Sequence, residues 1–134
     1  MSAKYLLDTY IASYIINGRF PRVRERLQNV PFHDVGISVI TEAELRFGLA
    51  RQPATSRLQF TVEEFLQHLA ILPWNSNAAK TYATLRAQLE NQGSPLGAMD
   101  MMIAAHALAA GCVLVTHDQG FQKVNHLKVA DWTL

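Results

Sequence analysis

An α/β fold, with helices on both faces of an open and mainly parallel sheet, is what this sequence predicts. Three observations carry that expectation. Short apolar segments alternate with helical patterns along the whole chain. The run CVLVT at 112–116 has neither charge nor alternation, as expected of a strand covered on both faces. The segments KYLL and Val35–Val39 are equally short and apolar and are followed by helix-forming text, the repeat that builds parallel sheets. A small α+β fold is the structural alternative.

Taken in order, KYLL (4–7) ends at Asp8 and reads as a buried strand. Thr9–Asn17 follows as a first helix, and Pro21 suits the first turn of a second helical piece reaching Gln28. The β-branched run Val35–Val39 is the next strand. TEAELRFGLARQ, from Thr41, is helical, with Leu45, Phe47 and Leu49 available to the core. After a loop at Pro53–Ser56, Leu58, Val62, Phe65, Leu66 and Leu69 repeat at three and four and predict a helix over Leu58–Leu69. Ile71–Leu72 is a short strand and Asn75–Gln92 a longer helix, stopped by Gly93-Ser94-Pro95. The alanine-rich Met99–Ala110 is the last helix, closed by Gly111. Leu127–Val129 is expected as a final edge strand.

Composition bounds the function. The 134 residues suit one domain, 1–134, and 49% apolar content is enough for a sizeable core. Twelve Lys and Arg against eleven Asp and Glu give a net charge of +1, which excludes a histone-like polycation but not a locally basic nucleic-acid surface. One cysteine, Cys112, makes no internal disulfide and suits a reducing compartment. With no signal peptide and no apolar run of spanning length, the expectation is a soluble cytoplasmic protein without a membrane partner. Five histidines and one cysteine show no compact zinc spacing.

Four acids fall near the ends of the regular elements. Asp8 follows the first strand, Asp118 comes two residues after CVLVT, Glu44 lies in the first turn of the third helix, and Asp100 lies near the start of the last helix. Open α/β sheets bind ligands beyond the carboxyl ends of their strands. Carboxylates gathered there need a cation or a shared proton, and oxygen-only ligands favour Mg²⁺ or Mn²⁺. Helix N-termini are expected to oppose protonation of Glu44 and Asp100. Phosphodiester hydrolysis is the matching chemistry. Each acid also has a purely structural reading. Asp8 caps a helix, Thr41 and Glu44 form a capping box, Asp100 matches a helix dipole, and Asp118 makes a turn before Gly120. Glu42 is expected to face solvent.

LLDT (6–9), SVITEAEL (38–45), GAMDMMIAAHA (97–107) and LVTHD (114–118) followed by Phe121 together resemble the signature blocks of PIN-domain proteins. More closely, the chain resembles the VapC toxin ribonucleases of type II toxin–antitoxin pairs, over Lys4 to Trp132. The resemblance implies a three-layer α/β/α PIN-like domain in which Asp8, Glu44, Asp100 and Asp118 hold one or two Mg²⁺ or Mn²⁺ ions and activate water against an RNA phosphodiester. It also implies that Thr9 and Thr116 orient the carboxylates. A homodimer and inhibition by a cognate antitoxin are implied as well. GSPLGAMD and the closing VADW look most like the branch that cuts initiator tRNA in its anticodon region. Tyr10 departs from the family's usual asparagine, offering a ring that could stack on a base or pack at a dimer face.

Around this centre, Arg19, Arg22, Arg24 and Arg26 form a basic run able to contact RNA phosphates, or an ordinary solvated helix face. Arg46, Arg51, Arg57 and Arg86 extend the possible footprint, since a guanidinium holds phosphate or carboxylate equally well. His106 is expected to pack or to support a ligand, and His117 to make a turn or touch substrate. Phe47, Phe60, Phe65 and Trp74 read as core or interface residues, Phe121 as the anchor of the Asp118 loop, and Trp132 as a pin for the C-terminus. The competing functional classes are a catalytically silent RNA-binding or protein-interaction domain and a DNA- or structure-specific nuclease.

Overall fold

The computed structural model describes residues 3–53, 56–93 and 96–134. Ala54 and Thr55 of the expected loop, and Ser94 and Pro95 of the expected helix stop, lie outside the described residues. The order is β1 (Tyr5–Leu7), α1 (Thr9–Asn17), α2 (Pro21–Gln28), β2 (Val35–Ser38), α3 (Val39–Ala50), α4 (Arg57–Gln67), β3 (Ala70–Leu72), α5 (Ser76–Asn91), α6 (Ala98–Ala110), β4 (Val113–Val115) and β5 (Val129–Ala130). Short 3-10 turns cover Phe32–Asp34 and Gln119–Lys123.

The five strands are all parallel and lie in the order β3-β2-β1-β4-β5. The chain winds outward from β1 through β2 to β3, then crosses back to place β4 on the other side of β1. That reversal creates the switch point at which open sheets bind ligands, between the carboxyl ends of β1 and β4. Leu6 and Leu114 face a core with α5 and α6, including Leu85, Leu89, Ile103 and Phe121. Leu7, Val115, Val35 and Ile37 face the other core, closed by α1 to α4 through Ile11, Leu45, Val62 and Leu66. Two apolar layers on one sheet make the three-layer α/β/α sandwich. Gly36 is needed in β2, because a Cβ there would sit 2.8 Å from Leu72 Cδ1 and 3.0 Å from the Ala70 carbonyl.

Capping explains most helix starts. Asp8 Oδ1 accepts from Ile11 N–H, Ser38 Oγ from Ile40 N–H, and Asn75 Oδ1 from Ala78 N–H. Gly18 and Gly111 close α1 and α6 in the left-handed region at φ 75° and 70°. The third helix corrects the sequence expectation. It begins at Val39 rather than Thr41, because Ser38 ends β2 and serves as its cap. Thr41 is therefore inside the helix and buried, and the expected Thr41–Glu44 capping box does not form. Glu44 lies in the second turn, not the first. Leu45 and Leu49 enter the core as expected, whereas Phe47 is 63% exposed and Phe60 68%, so neither is a core residue. Phe65 and Trp74 pack against the two cores, Phe121 is buried, and Trp132 is buried with its ring 5.4 Å from that of Tyr5. The edge strand sits at Val129–Ala130, two residues later than expected at its start. Among the described residues no helix is long and apolar enough to cross a membrane.

Candidate metal centre at the strand tips

Asp8 is the best-defined member of the candidate site. It sits on the tip of β1, its backbone N–H donating to the Val115 carbonyl of β4 at 3.0 Å. Its carboxylate is buried and held at both oxygens. Ile11 N–H donates to Oδ1 at 2.8 Å, and the Thr116 hydroxyl donates to Oδ2. Thr116 Oγ1 in turn accepts from Asp118 N–H at 3.1 Å. A single buried hydroxyl thus joins the tip of β1 to the loop after β4. The helix-cap reading of Asp8 and its site reading are both satisfied by one side chain, with a different oxygen for each.

Across the site, Thr9 Oγ1 donates to Glu44 Oε1. Because its proton is committed there, the 3.2 Å contact between the Thr9 and Thr41 hydroxyls is donated by Thr41. Asp118 Oδ1 accepts from Gly120 N–H at 2.8 Å, which fixes its own turn. Asp100 lies in the first turn of α6, half-buried.

Electrostatics bring the four together. Burial pushes the Asp8 carboxyl up to about 6, against the pull of its two hydrogen bonds, and the charges of Asp100 and Asp118 push the same way. The Asp100 carboxyl is raised as well, by burial first and then by Asp118 and Glu44. The α6 N-terminus, expected to oppose protonation of Asp100, does not set the net direction, which burial and like charge carry upward. Each acid feels at least one other, so the four sequence-predicted carboxylates share one region.

What they lack is a counter-charge. Asp34, Glu42, Glu63, Glu90 and Asp131 all pair with Lys, Arg or His. Among the described residues Asp8, Glu44, Asp100 and Asp118 pair with none; Glu25 and Glu64 are also unpaired but stand exposed on α2 and α4. No three His, Cys, Asp or Glu side chains of the described residues close into a ready-made cage. Oxygen-only donors are the class that Mg²⁺ and Mn²⁺ take, and these ions retain several waters and need only one or two carboxylates.

Behind the site lies a buried clamp whose members, Ser38 and His106, are 68 residues apart in the sequence. Ser38 Oγ, already accepting from Ile40 N–H, donates to His106 Nδ1 at 2.7 Å, and His106 bonds to the Pro73 carbonyl. Burial lowers the His106 pKa and keeps the ring neutral. The Trp74 ring meets it edge-on at 5.5 Å. The helix carrying Asp100 is thereby tied to the cap of the helix carrying Glu44. His106 supports the site rather than joining its acids, in agreement with its spacing from Asp100. The signal available was Ser38, a hydroxyl at a strand's end.

The basic residues are less uniform than the sequence suggests. Arg24 donates through Nε and Nη2 to the Ile15 carbonyl and so closes the end of α1. Arg26 holds the Leu134 carbonyl, Arg46 bridges Glu42 and Glu63, and Arg86 joins Glu90 and Tyr82. Glu42 accordingly meets Arg46 rather than open solvent. Arg19 lies over the Tyr14 and Phe20 rings, and Arg22 is exposed on α2.

Residues 5–127 match the family model described as PIN domain. The chain is 34% identical, over 131 residues, to a Shigella flexneri protein named tRNA(fMet)-specific endonuclease VapC, covering 97% of this chain and 98% of that one. The fold is similar to DNA-bound VapBC from Salmonella typhimurium, with a TM-score of 0.90 at 34% identity over 97% of this chain and 98% of that chain. It is also similar to VapBC2 from Rickettsia felis bound to a promoter DNA fragment, with a TM-score of 0.88 at 30% identity over 96% and 98% of the two chains.

Proposed function

From the premise that this chain belongs to the PIN-domain family, and within it to the VapC toxin group, we propose that it is a metal-dependent endoribonuclease toxin. One observation carries the reading. Four carboxylates from the tip of β1, α3, α6 and the loop after β4 act on one another at the sheet's switch point, and none makes an ion pair with a basic side chain among the described residues. Asp8, Glu44, Asp100 and Asp118 would hold Mg²⁺ or Mn²⁺. Bound there, the ion lowers the pKa of water and stabilises charge on a phosphoryl oxygen.

The chain's own residues supply order. Thr116 and Ile11 hold both Asp8 oxygens in place, leaving each oxygen further acceptor capacity. Thr9 fixes the Glu44 rotamer, and Thr41 fixes Thr9. The Thr116 relay keeps Asp118 in register with Asp8. Arg19 and Arg22 are the arginines best placed to meet RNA phosphates. For Arg24, Arg26, Arg46 and Arg86 the same role requires leaving or sharing their present partners. With the four acids set aside, seven remain against twelve basic residues, so the surround is net basic and suited to a polyanion.

The finer reading is cleavage of tRNA, with initiator tRNA the first candidate because two similar proteins carry that specificity in their names. A cytoplasmic homodimer of this domain, 1–134, restrained by a cognate antitoxin, completes the proposal and is consistent with the VapBC and FitAB complexes to which the fold is similar. The test is incubation of folded, antitoxin-free protein with initiator tRNA, elongator tRNAs and ribosomal RNA, with Mg²⁺, Mn²⁺ or EDTA. Specific cleavage that EDTA abolishes is the expected result. RNA left intact under both ions overturns the reading.

A further inference from the structure

We propose that Arg19, Phe20 and His117 form a platform on which one nucleobase of the RNA stacks beside the acid cluster; this rests on the ribonuclease reading above. The first observation is the backbone of Phe20. It sits at φ 55°, ψ 76°, in the left-handed region, immediately before Pro21. A bulky side chain is disfavoured there, and a residue preceding proline is normally extended. Such conformations persist where the surroundings fix them, and they gather at binding sites.

Aromatic contacts account for what fixes it. The Phe20 ring lies 4.8 Å from the Tyr14 ring and 5.9 Å from the His117 ring, tilted by 57° and 49°. The Arg19 guanidinium stands 5.6 Å from the Phe20 centroid and 5.8 Å from that of Tyr14. Arg19 is exposed and makes no ion pair with any described residue, and Phe20 is only half-buried.

His117 is set from behind. Its Nδ1–H donates to Asp131 Oδ2 at 2.8 Å, with Thr133 Oγ1 at 3.1 Å, and Asp131 is itself held by the Thr133 hydroxyl and N–H. The imidazole plane is thereby fixed, while Nε2 has no partner among the described residues. The next residue is Asp118, whose charge acts on Asp8 and Asp100. The row of rings therefore starts where the acid cluster ends. A half-buried ring carrying a guanidinium that has no ion pair among the described residues, next to an exposed imidazole of fixed plane, matches the flat face of a base and its phosphate.

The experiment uses the full chain carrying Asp8→Asn, so that RNA binds without being cut, and a short single-stranded RNA labelled with 2-aminopurine. Stacking is expected to quench the label on binding. Adding Phe20→Leu is expected to weaken binding about 10-fold and to remove the quench, whereas Phe20→Trp retains both. Arg19→Gln, which removes the guanidinium from over the Phe20 and Tyr14 rings without touching a buried side chain, is expected to weaken binding several-fold. RNA bound with unchanged affinity and quench in the Phe20→Leu and Arg19→Gln proteins overturns the platform and leaves the ribonuclease reading standing. A folded Asp8→Asn protein that binds no RNA overturns both.

Discussion

The α3–α4 flank and the strand tips use charge in opposite ways. On the flank, Arg46 lies between Glu42 and Glu63, at 2.8 Å and 2.6 Å, so each carboxylate there has a cationic partner in solvent. At the tips, Asp8 is buried beside Asp100 and Asp118 with hydrogen bonds but no cation. The flank is complete as it stands. The tips hold like charge with no ion pair among the described residues. The difference also ranks the consequences of mutation: large at the tips, small on the flank.

The largest expected effect is on activity. Asp8→Asn or Asp100→Asn should lower RNA cleavage by about 10³-fold, on the order of 4 kcal/mol of transition-state stabilisation. The Asp8→Asn protein should still fold, because asparagine can cap α1 as aspartate does. Single-turnover cleavage together with circular dichroism checks both halves. Undiminished cleavage by either variant would break the contrast between tip and flank.

Next in size is the pH dependence of stability without metal. The Asp8 carboxyl ionises near 6 in the fold and near 3.8 when unfolded. A group whose folded value is raised stabilises fully below the unfolded value and loses that contribution as pH rises through the folded one. Between pH 4 and 7, Asp8 should therefore remove on the order of 3 kcal/mol. Asp100 acts with the same sign. Comparing urea unfolding of the parent and Asp8→Asn proteins across that range isolates the contribution, and Mn²⁺ at pH 7 should reverse it. Parallel pH profiles for the two proteins would count against the buried-charge account.

A smaller effect belongs to the clamp that joins the two helices. Ser38→Ala removes the α3 cap and leaves His106 Nδ1 without its donor, which should cost about 2 kcal/mol in denaturant unfolding. It should also weaken metal binding without touching any acid. The smallest belongs to the flank. Glu63→Gln should change stability by no more than about 0.5 kcal/mol, since both partners are nearly half exposed and screened. Cleavage should be unchanged. A flank change as damaging as a tip change would erase the distinction.

These regions were also unequally legible in the sequence. Apolar, uncharged strands and regular helical spacing are local signals, so the parallel sheet and the end positions of Asp8 and Asp118 follow from them. The start of α3 was misplaced because Thr41-Glu-Ala-Glu44 is a good local capping pattern. Ser38 takes that role only because β2 delivers it to the helix's first turn, a tertiary circumstance. The same holds for Thr41, whose hydroxyl meets Thr9 from 32 residues away. Arg24 looked like a surface cation and instead closes α1, since its partner is a carbonyl, and carbonyls leave no mark in a sequence. The exposure of Phe47 and Phe60 was illegible for a related reason: aromatic residues announce apolar area but not which face of a helix carries it.

The most direct measurement is Mn²⁺ binding to the folded, antitoxin-free protein at pH 7, followed by electron paramagnetic resonance of the free ion. The account predicts saturable binding that weakens at least about 10-fold in both Asp8→Asn and Asp100→Asn and stays unchanged in Glu63→Gln. Equal Mn²⁺ affinity in the parent and both tip variants would contradict it.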